Sequence, residues 1–341
     1  MSATPVLTLS GAQLRTNIAA VAEHIAPSAL MLVMKDDAYN LGLDWVLGEA
    51  ETITWFGGYD IRTALRIKER RPDARVFAWA SSTDDEVSDA IVAGLDLGVG
   101  TLSYLRLVIA RATQLGRAVR VHLKVDTGLS RNGVRPEDWD AFITEAVRAQ
   151  RNGALAIVGV WSHLGEASDA DDDDSARLFR NAADALRAAG AVLEVEHLTA
   201  SAASWWRPEL RGTLCRIGAF CYGVRSGDGP EIPGVASVAT LTATVLAVTD
   251  VGVEVGIGAL HGLPSTLVGA TVSTPGGPRA LSAIGPYTSV VAPWPEAAPG
   301  DEIVVFGASG QDATGLGEFI DSIGEEILLR LSPRVRRAVA D

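Results

Sequence analysis

Lys35 ends a short apolar run, residues 29–34, and is followed at once by Asp36-Asp37-Ala38-Tyr39-Asn40-Leu41-Gly42. A Val/Met-rich run of that length reads as a buried strand, which sets the amine at the strand's C-terminal end, where a β/α barrel keeps its chemistry. A lysine there can be desolvated and held against a carbonyl, as a Schiff-base lysine requires. The placement recurs downstream: Lys124 with Asp126 and Arg131, His163 with Glu166, His197 with Ser201, and Arg216 with Tyr222 all lie at or near the C-terminal ends of such runs. In a barrel those ends converge on one mouth. A lysine, a ring-stacking partner, hydroxyls for a phosphate and an arginine are the parts of a pyridoxal phosphate site.

The elements that must position these side chains follow from the pattern of the chain. Apolar β-type runs at 29–35, 52–56, 75–79, 95–99, 119–125, 155–162, 193–198 and 214–222 alternate with amphipathic stretches such as 61–71, 84–93, 104–115, 137–150 and 175–189. Eight such alternations predict an α/β protein with a (β/α)8 TIM-type barrel over residues 10–230. After Val224 the chain turns to Arg-Ser-Gly-Asp-Gly-Pro-Glu-Ile-Pro-Gly, a cluster of turn formers that reads as a linker. Beyond it, β-rich segments at 239–249, 252–257, 265–272, 280–284, 288–292 and 302–306 and one helix over 318–331 predict a mostly antiparallel C-terminal β domain, residues 235–341, to which an early strand at 5–9 can pair.

Composition narrows the partners. At 341 residues there is room for a barrel of about 250 residues and a second module of about 100. A formal net charge of −13 argues against nucleic acid, whose phosphates need clustered Lys and Arg. Neither a signal core nor a run of eighteen apolar residues is present, so no membrane association and a cytoplasmic location are expected. Cys215 and Cys221 fit no zinc spacing and read as buried thiols. The acidic run 169–174 lacks the glycine of a calcium loop and is expected to be a solvated loop ahead of helix 175–189, so no metal is assigned.

Taken as words, these segments resemble the bacterial alanine racemases. Met-Lys-Asp-Asp-Ala-Tyr-Asn-Leu-Gly (34–42) is similar to that family's lysine signature, normally Val-Lys-Ala-Asn-Ala-Tyr-Gly-His-Gly. Val-His-Leu-Lys-Val-Asp-Thr-Gly-Leu-Ser-Arg-Asn-Gly-Val (121–134), His-Leu-Thr-Ala-Ser-Ala-Ala (197–203), Arg-Ile-Gly-Ala-Phe-Cys-Tyr-Gly-Val (216–224) and Gly-Asp-Glu-Ile-Val-Val-Phe-Gly (300–307) resemble four more, in family order. The resemblance implies pyridoxal 5'-phosphate on Lys35, which also serves as one acid/base at the α-carbon of an amino acid substrate. Tyr39, Ser201, Gly218 and Ala219 would hold the phosphate, with Tyr222 a further cofactor-binding position and His163 near the ring. Taken alone, Ser201 reads equally as a helix cap and His163 as a core histidine. Arg216 would meet the pyridine nitrogen, and an arginine does not readily surrender its proton. Arg131 would bind the substrate carboxylate. Lys124 matches a lysine carbamylated in some relatives, with a plain ion pair as the alternative. A homodimer is implied, its site completed by the partner's β domain.

Two words depart from the family. The second acid/base is a tyrosine in Gly-Tyr-Gly, whereas this chain has Gly256-Ile257-Gly258. Where relatives carry Ser-Met-Asp-Gln-Thr-Met, residues 284–290 read Ile-Gly-Pro-Tyr-Thr-Ser-Val, so that Pro286 and Tyr287 replace a Met and an Asp of the substrate pocket. Three explanations fit: Tyr287 or His261 takes the second acid/base role; Lys35 works alone, with slow racemisation, decarboxylation or retro-aldol cleavage as outcomes; or the chain carries cofactor without the reaction. The substrate need not be alanine.

Overall fold

Strands covered on both faces tolerate unbroken apolar runs, and the first half of this chain is built of them. The structure, a computed structural model, describes residues 4–227 and 229–340. Strand β1 (Val6–Ser10) belongs to the second unit below. There follow β2 (Ala29–Val33), β3 (Trp55–Tyr59), β4 (Arg75–Ala78), β5 (Asp96–Val99), β6 (Val119–Lys124), β7 (Leu155–Trp161), β8 (Val195–His197) and β9 (Leu214–Ile217), all parallel, in the order β8-β7-β6-β5-β4-β3-β2-β9. The open ends meet where Arg216 N–H donates to the Thr199 carbonyl (3.2 Å), just past β8. This is the eight-stranded barrel that the alternation of elements predicts. Its intervening helices start at polar caps: Asp60 accepts from Thr63 N–H, Thr83 and Glu86 form a capping box, and Thr101 accepts from Tyr104 N–H.

Side chains alternate across each barrel strand, so the even-numbered residues of β6, Arg120, His122 and Lys124, point inward. They meet an aromatic core of Met31, Trp55, Phe77, Trp161, Val195 and Leu214, with Trp79 packed against it. Space for the His122 ring exists because its neighbour across β7 is Gly159, where a Cβ would lie 2.8 Å from the ring.

The second compact unit comprises residues up to Ala20, Ala38–Ala50, and residues from Ala219 onward. Its strands are β1, β10 (Ala239–Thr249), β11 (Gly252–Val255), β12 (Thr271–Thr274), β13 (Gly277–Ile284), β14 (Ser289–Val291), β15 (Glu302–Phe306) and β16 (Arg336–Ala340). Antiparallel pairing runs β10-β15-β12-β13-β14-β11 and returns from β11 to β10, closing a six-stranded ring. Strand β1 extends it by pairing with the start of β10 (Leu7 opposite Leu241), and β16 adds in parallel to β1.

Several local expectations are corrected. The acidic run is not a loop: it forms the first turns of a helix, Asp169–Ala188. Ser168 caps that helix by accepting from Asp171 N–H (3.2 Å), buried Asp172 accepts from Glu166 N–H (3.1 Å), and Arg207 donates to Asp169 (2.8 Å) and Asp173 (2.6 Å). The single helix expected at 318–331 is two, Ala313–Phe319 and Gly324–Leu329, separated at Asp321, whose φ is 54°. The strand expected at 265–272 begins instead as a turn closed by Leu267 N–H donating to the Pro264 carbonyl (3.1 Å), and pairing starts only at Thr271. The run 214–222 leaves the sheet after Ile217 and continues as a tight turn, Ala219–Tyr222.

Candidate active site

Lys35 does not end a strand. β2 stops at Val33, and Lys35 opens a single turn, Lys35–Tyr39, that coils left-handedly: φ is 55° at Asp36 and Asp37, 54° at Ala38, 59° at Tyr39 and 63° at Asn40. Asp and Asn tolerate this region, but for Ala38 and Tyr39 it costs about 1–2 kcal/mol each. Such strain persists only where its surroundings fix it. Lys35 itself is half-buried.

The centre of the barrel site is Arg216 on β9, almost wholly buried. Its Nη1 donates to the His197 carbonyl (2.8 Å) and to His197 Nδ1 (3.1 Å), and its Nη2 to the carbonyls of Ser162 (2.7 Å) and Leu198 (2.9 Å) and to His163 Nδ1 (3.2 Å). Among the described residues, nothing accepts from its Nε–H. Because a guanidinium only donates, both histidines must present a bare Nδ1 to it. His197 then carries its proton on Nε2 and donates to His122 Nδ1 (2.8 Å), whose own Nε2–H donates to Asp96 Oδ2 (3.1 Å). Asp96 also accepts from Arg120 Nε (2.8 Å) and Arg75 (3.1 Å). One hydrogen-bond direction thus runs from Arg216 through two imidazoles to a carboxylate.

Charge states agree with that direction. Burial, reinforced by His122 and Arg216, pushes His197 well below the usual imidazole range. Burial, then Arg216, Arg131, Lys124 and Lys35, takes His163 down to about 3, so it is neutral at physiological pH. Four of the basic side chains singled out from the sequence therefore lie close enough to act on it electrostatically. Arg216 is lowered by burial to about 10 and stays protonated.

Lys124 ends β6 with its Nζ 4.4 Å from the centre of the Trp161 ring, and burial followed by Arg216 and Arg131 brings its pKa down to about 8. After it, Asp126 Oδ1 accepts from the N–H groups of Gly128 (3.1 Å) and Ser130 (3.0 Å), folding a loop that presents Arg131 to solvent. Ser201, half-buried at the start of helix Ser201–Trp206, has a hydroxyl with no partner among the described residues. Gly218 follows β9, and Ala219 begins the next turn.

Within the second unit, buried Tyr39 and Tyr222 stack obliquely with ring centres 4.9 Å apart, and burial drives the Tyr222 phenol well above its ordinary pKa. Ile257 is completely buried. Tyr287 is 55% exposed on the turn between β13 and β14. Its ring meets that of His261 edge-on (6.2 Å) and lies 6.0 Å from the Arg334 guanidinium. His261 is buried, pushed down by desolvation and Arg334, and its Nδ1 accepts from Gly258 N–H (3.0 Å).

A seam joins the two departing words. Ala259 N–H donates to the Gly285 carbonyl and Leu260 N–H to the Pro286 carbonyl (both 2.9 Å), while Ser289 Oγ donates to the Ile257 carbonyl (2.7 Å). Gly258 allows the approach, since a Cβ there would lie 2.4 Å from the Gly285 carbonyl oxygen. The roles of His122, His197 and Asp96 were not assigned from sequence. The available signal was the polar residue at the same inward phase in the apolar strands β5, β6 and β8.

Comparison with known proteins adds the following. Residues 9–226 match the model of the alanine racemase N-terminal domain. The chain is 32% identical over 351 residues to the alanine racemase of Thermobifida fusca (strain YX), covering 94% of both. It is 34% identical over 358 residues to that of Beutenbergia cavernae, again covering 94% of both. Among solved structures it is similar to the alanine racemase from Streptomyces coelicolor A3(2), with a TM-score of 0.94 at 27% identity over 99% of this chain and 98% of that one.

Proposed function

This chain belongs to the alanine racemase family, and from that premise we propose that it is a pyridoxal-phosphate-dependent amino acid racemase that moves a proton at the substrate α-carbon. The residues fit the cofactor. Arg216 keeps Nε–H open while every other terminal donor is engaged, which is the donor a pyridine nitrogen needs. Ser201 keeps an open hydroxyl for a phosphate oxygen. When bound, pyridoxal phosphate supplies an electron sink that acidifies the substrate α C–H.

The protein's own residues do the rest. Lys35 would hold the cofactor through its aldehyde and would take or return the α-proton on one face. Tyr39, Ser201 and the main chain at Gly218 and Ala219 hold the phosphate, with Tyr222 packed against Tyr39. Arg216, held in place by three carbonyls and two bare imidazole nitrogens, would meet the ring nitrogen without giving up its proton. The neutral His163 lies beside it. Arg131 is the cation for the substrate carboxylate. Lys124, with a pKa near 8, retains enough free amine at neutral pH to take up carbon dioxide, releasing a proton and forming a carbamate that would face Arg131.

Tyr287 is the acid/base for the opposite face, delivered by a second copy of the chain in a homodimer. Its phenol is exposed, and the seam ties its turn to the segment of Ile257, a residue that carries no transferable proton. The observation that carries the proposal is the Arg216 geometry. The test is chiral chromatography of L-alanine, L-serine and larger amino acids incubated with the loaded protein, together with mass spectrometry after borohydride reduction. Enantiomer interconversion and a pyridoxyl adduct at Lys35, both absent in Lys35→Ala, are expected; a wild-type protein without the adduct overturns the proposal. A second reading rests on buried Ile257: a divergent homologue that performs another reaction on the same cofactor or has lost racemisation. Release of carbon dioxide or an aldehyde, without interconversion, would select it.

A further inference from the structure

We infer that Asn40, with Arg337, clamps the left-handed turn that follows Lys35, and is a positioning residue for that lysine and for Tyr39. The inference rests on the functional reading above for its consequence, and on geometry for the clamp itself.

Position 40 is glycine in the family word, the residue that adopts a left-handed φ without cost. Here it is Asn at φ 63°, a residue that tolerates the conformation and brings a side chain. That side chain is fully used. Nδ2 donates to the carbonyls of Leu328, in the last turn of helix Gly324–Leu329, and Leu331, just beyond it (both 2.9 Å). Oδ1 accepts from Arg337 Nη2 (2.8 Å). The same guanidinium reaches the Asn40 main-chain carbonyl through Nε (3.4 Å) and Nη2 (3.3 Å) and is itself steadied by Nη1 donating to the Val335 carbonyl (3.3 Å). Glycine could make only the main-chain contacts.

The clamp matters because of what precedes it. Ala38 and Tyr39 have no side-chain means of favouring a left-handed backbone, so a run through them needs an external hold at its end. Asn40 is that hold. In the functional reading, the run separates the cofactor's lysine from a phosphate ligand, and its relaxation displaces both.

The experiment compares wild type, Asn40→Gly, Arg337→Met and the double variant by hydrogen-exchange mass spectrometry of residues 36–42 without cofactor, then by pyridoxal phosphate titration. Loss of the two carbonyl contacts and one guanidinium contact predicts exchange about tenfold faster in Asn40→Gly and cofactor binding weaker by about tenfold. Arg337→Met gives about threefold in each, and the double variant falls short of the product of the two single effects, because both singles remove the Oδ1–guanidinium bond. Asn40→Gly exchanging within twofold of wild type overturns the clamp. Altered exchange with unchanged cofactor affinity overturns the positioning role. If Asn40→Gly does not fold, Arg337→Met decides on the same criteria. Wild-type protein that takes up no cofactor defeats the functional reading, and the exchange result still decides the clamp.

Discussion

Arg216 and Tyr287 are two candidate site residues held in opposite ways. In the barrel unit, Arg216 is immobilised by carbonyls and imidazoles from β7, β8 and the segments after them, and the chain of donors continues inward to Asp96. In the β unit, the phenol of Tyr287 projects from a turn, with the His261 ring and the Arg334 guanidinium near its ring. The partners of Arg216 all come from the barrel's own fold. The β-unit group is presented outward, as a residue serving another molecule's site would be. The difference implies that substitutions in the first region act through stability and geometry together, whereas those in the second act on chemistry alone.

Tyr287→Phe tests the second half most sharply. Racemisation should fall about a hundredfold, the range for losing one acid/base, while cofactor loading is unchanged. Solvent-deuterium exchange at the α-carbon should become restricted to one enantiomer. Unchanged interconversion would remove Tyr287 from the mechanism. Asp96→Asn tests the first half: with the carboxylate gone, His122 loses a strong acceptor and Arg75 and Arg120 lose a partner, so urea denaturation should show a loss of about 2–4 kcal/mol.

A smaller effect is set by pH. Below the ordinary imidazole pKa of 6.5 the unfolded chain protonates His163, while the native state, with a pKa near 3, does not. Stability therefore falls as pH drops through the window from 6.5 to 3, by at most about 1.4 kcal/mol per unit for this group. His163→Gln should flatten the slope by that amount between pH 6.5 and 4.5. Last, Tyr287→Phe should shift thermal stability by less than about 0.5 kcal/mol, because the side chain is exposed.

Much of the barrel was legible because its strands are short apolar runs that end in polar side chains, and Lys35, Lys124, His163 and Arg216 were found that way. What the sequence hid is mostly conformation and inward networking. No propensity announces five consecutive left-handed residues, two of them Ala38 and Tyr39; the last of the five, Asn40, is bonded by partners distant in sequence, from Leu328 to Arg337. Similarly, five aspartates within six positions look like a solvated loop until Ser168 and Arg207 are placed beside them, after which the same charges favour a helix start. The relay from Asp96 to His197 was visible only as isolated polar letters, because its partners come from different strands. Local chemistry was readable, and convergence across strands was not.

The hydrogen-bonded seam between residues 257–260 and 285–289 has a practical consequence. Both turns share one stiff mounting, pinched at Gly258, so a new functional group can be installed on either without rebuilding its support. For a protein engineer, the pair offers interchangeable sockets. For a lineage under selection, it offers a short route by which a duty can move from one loop to the next.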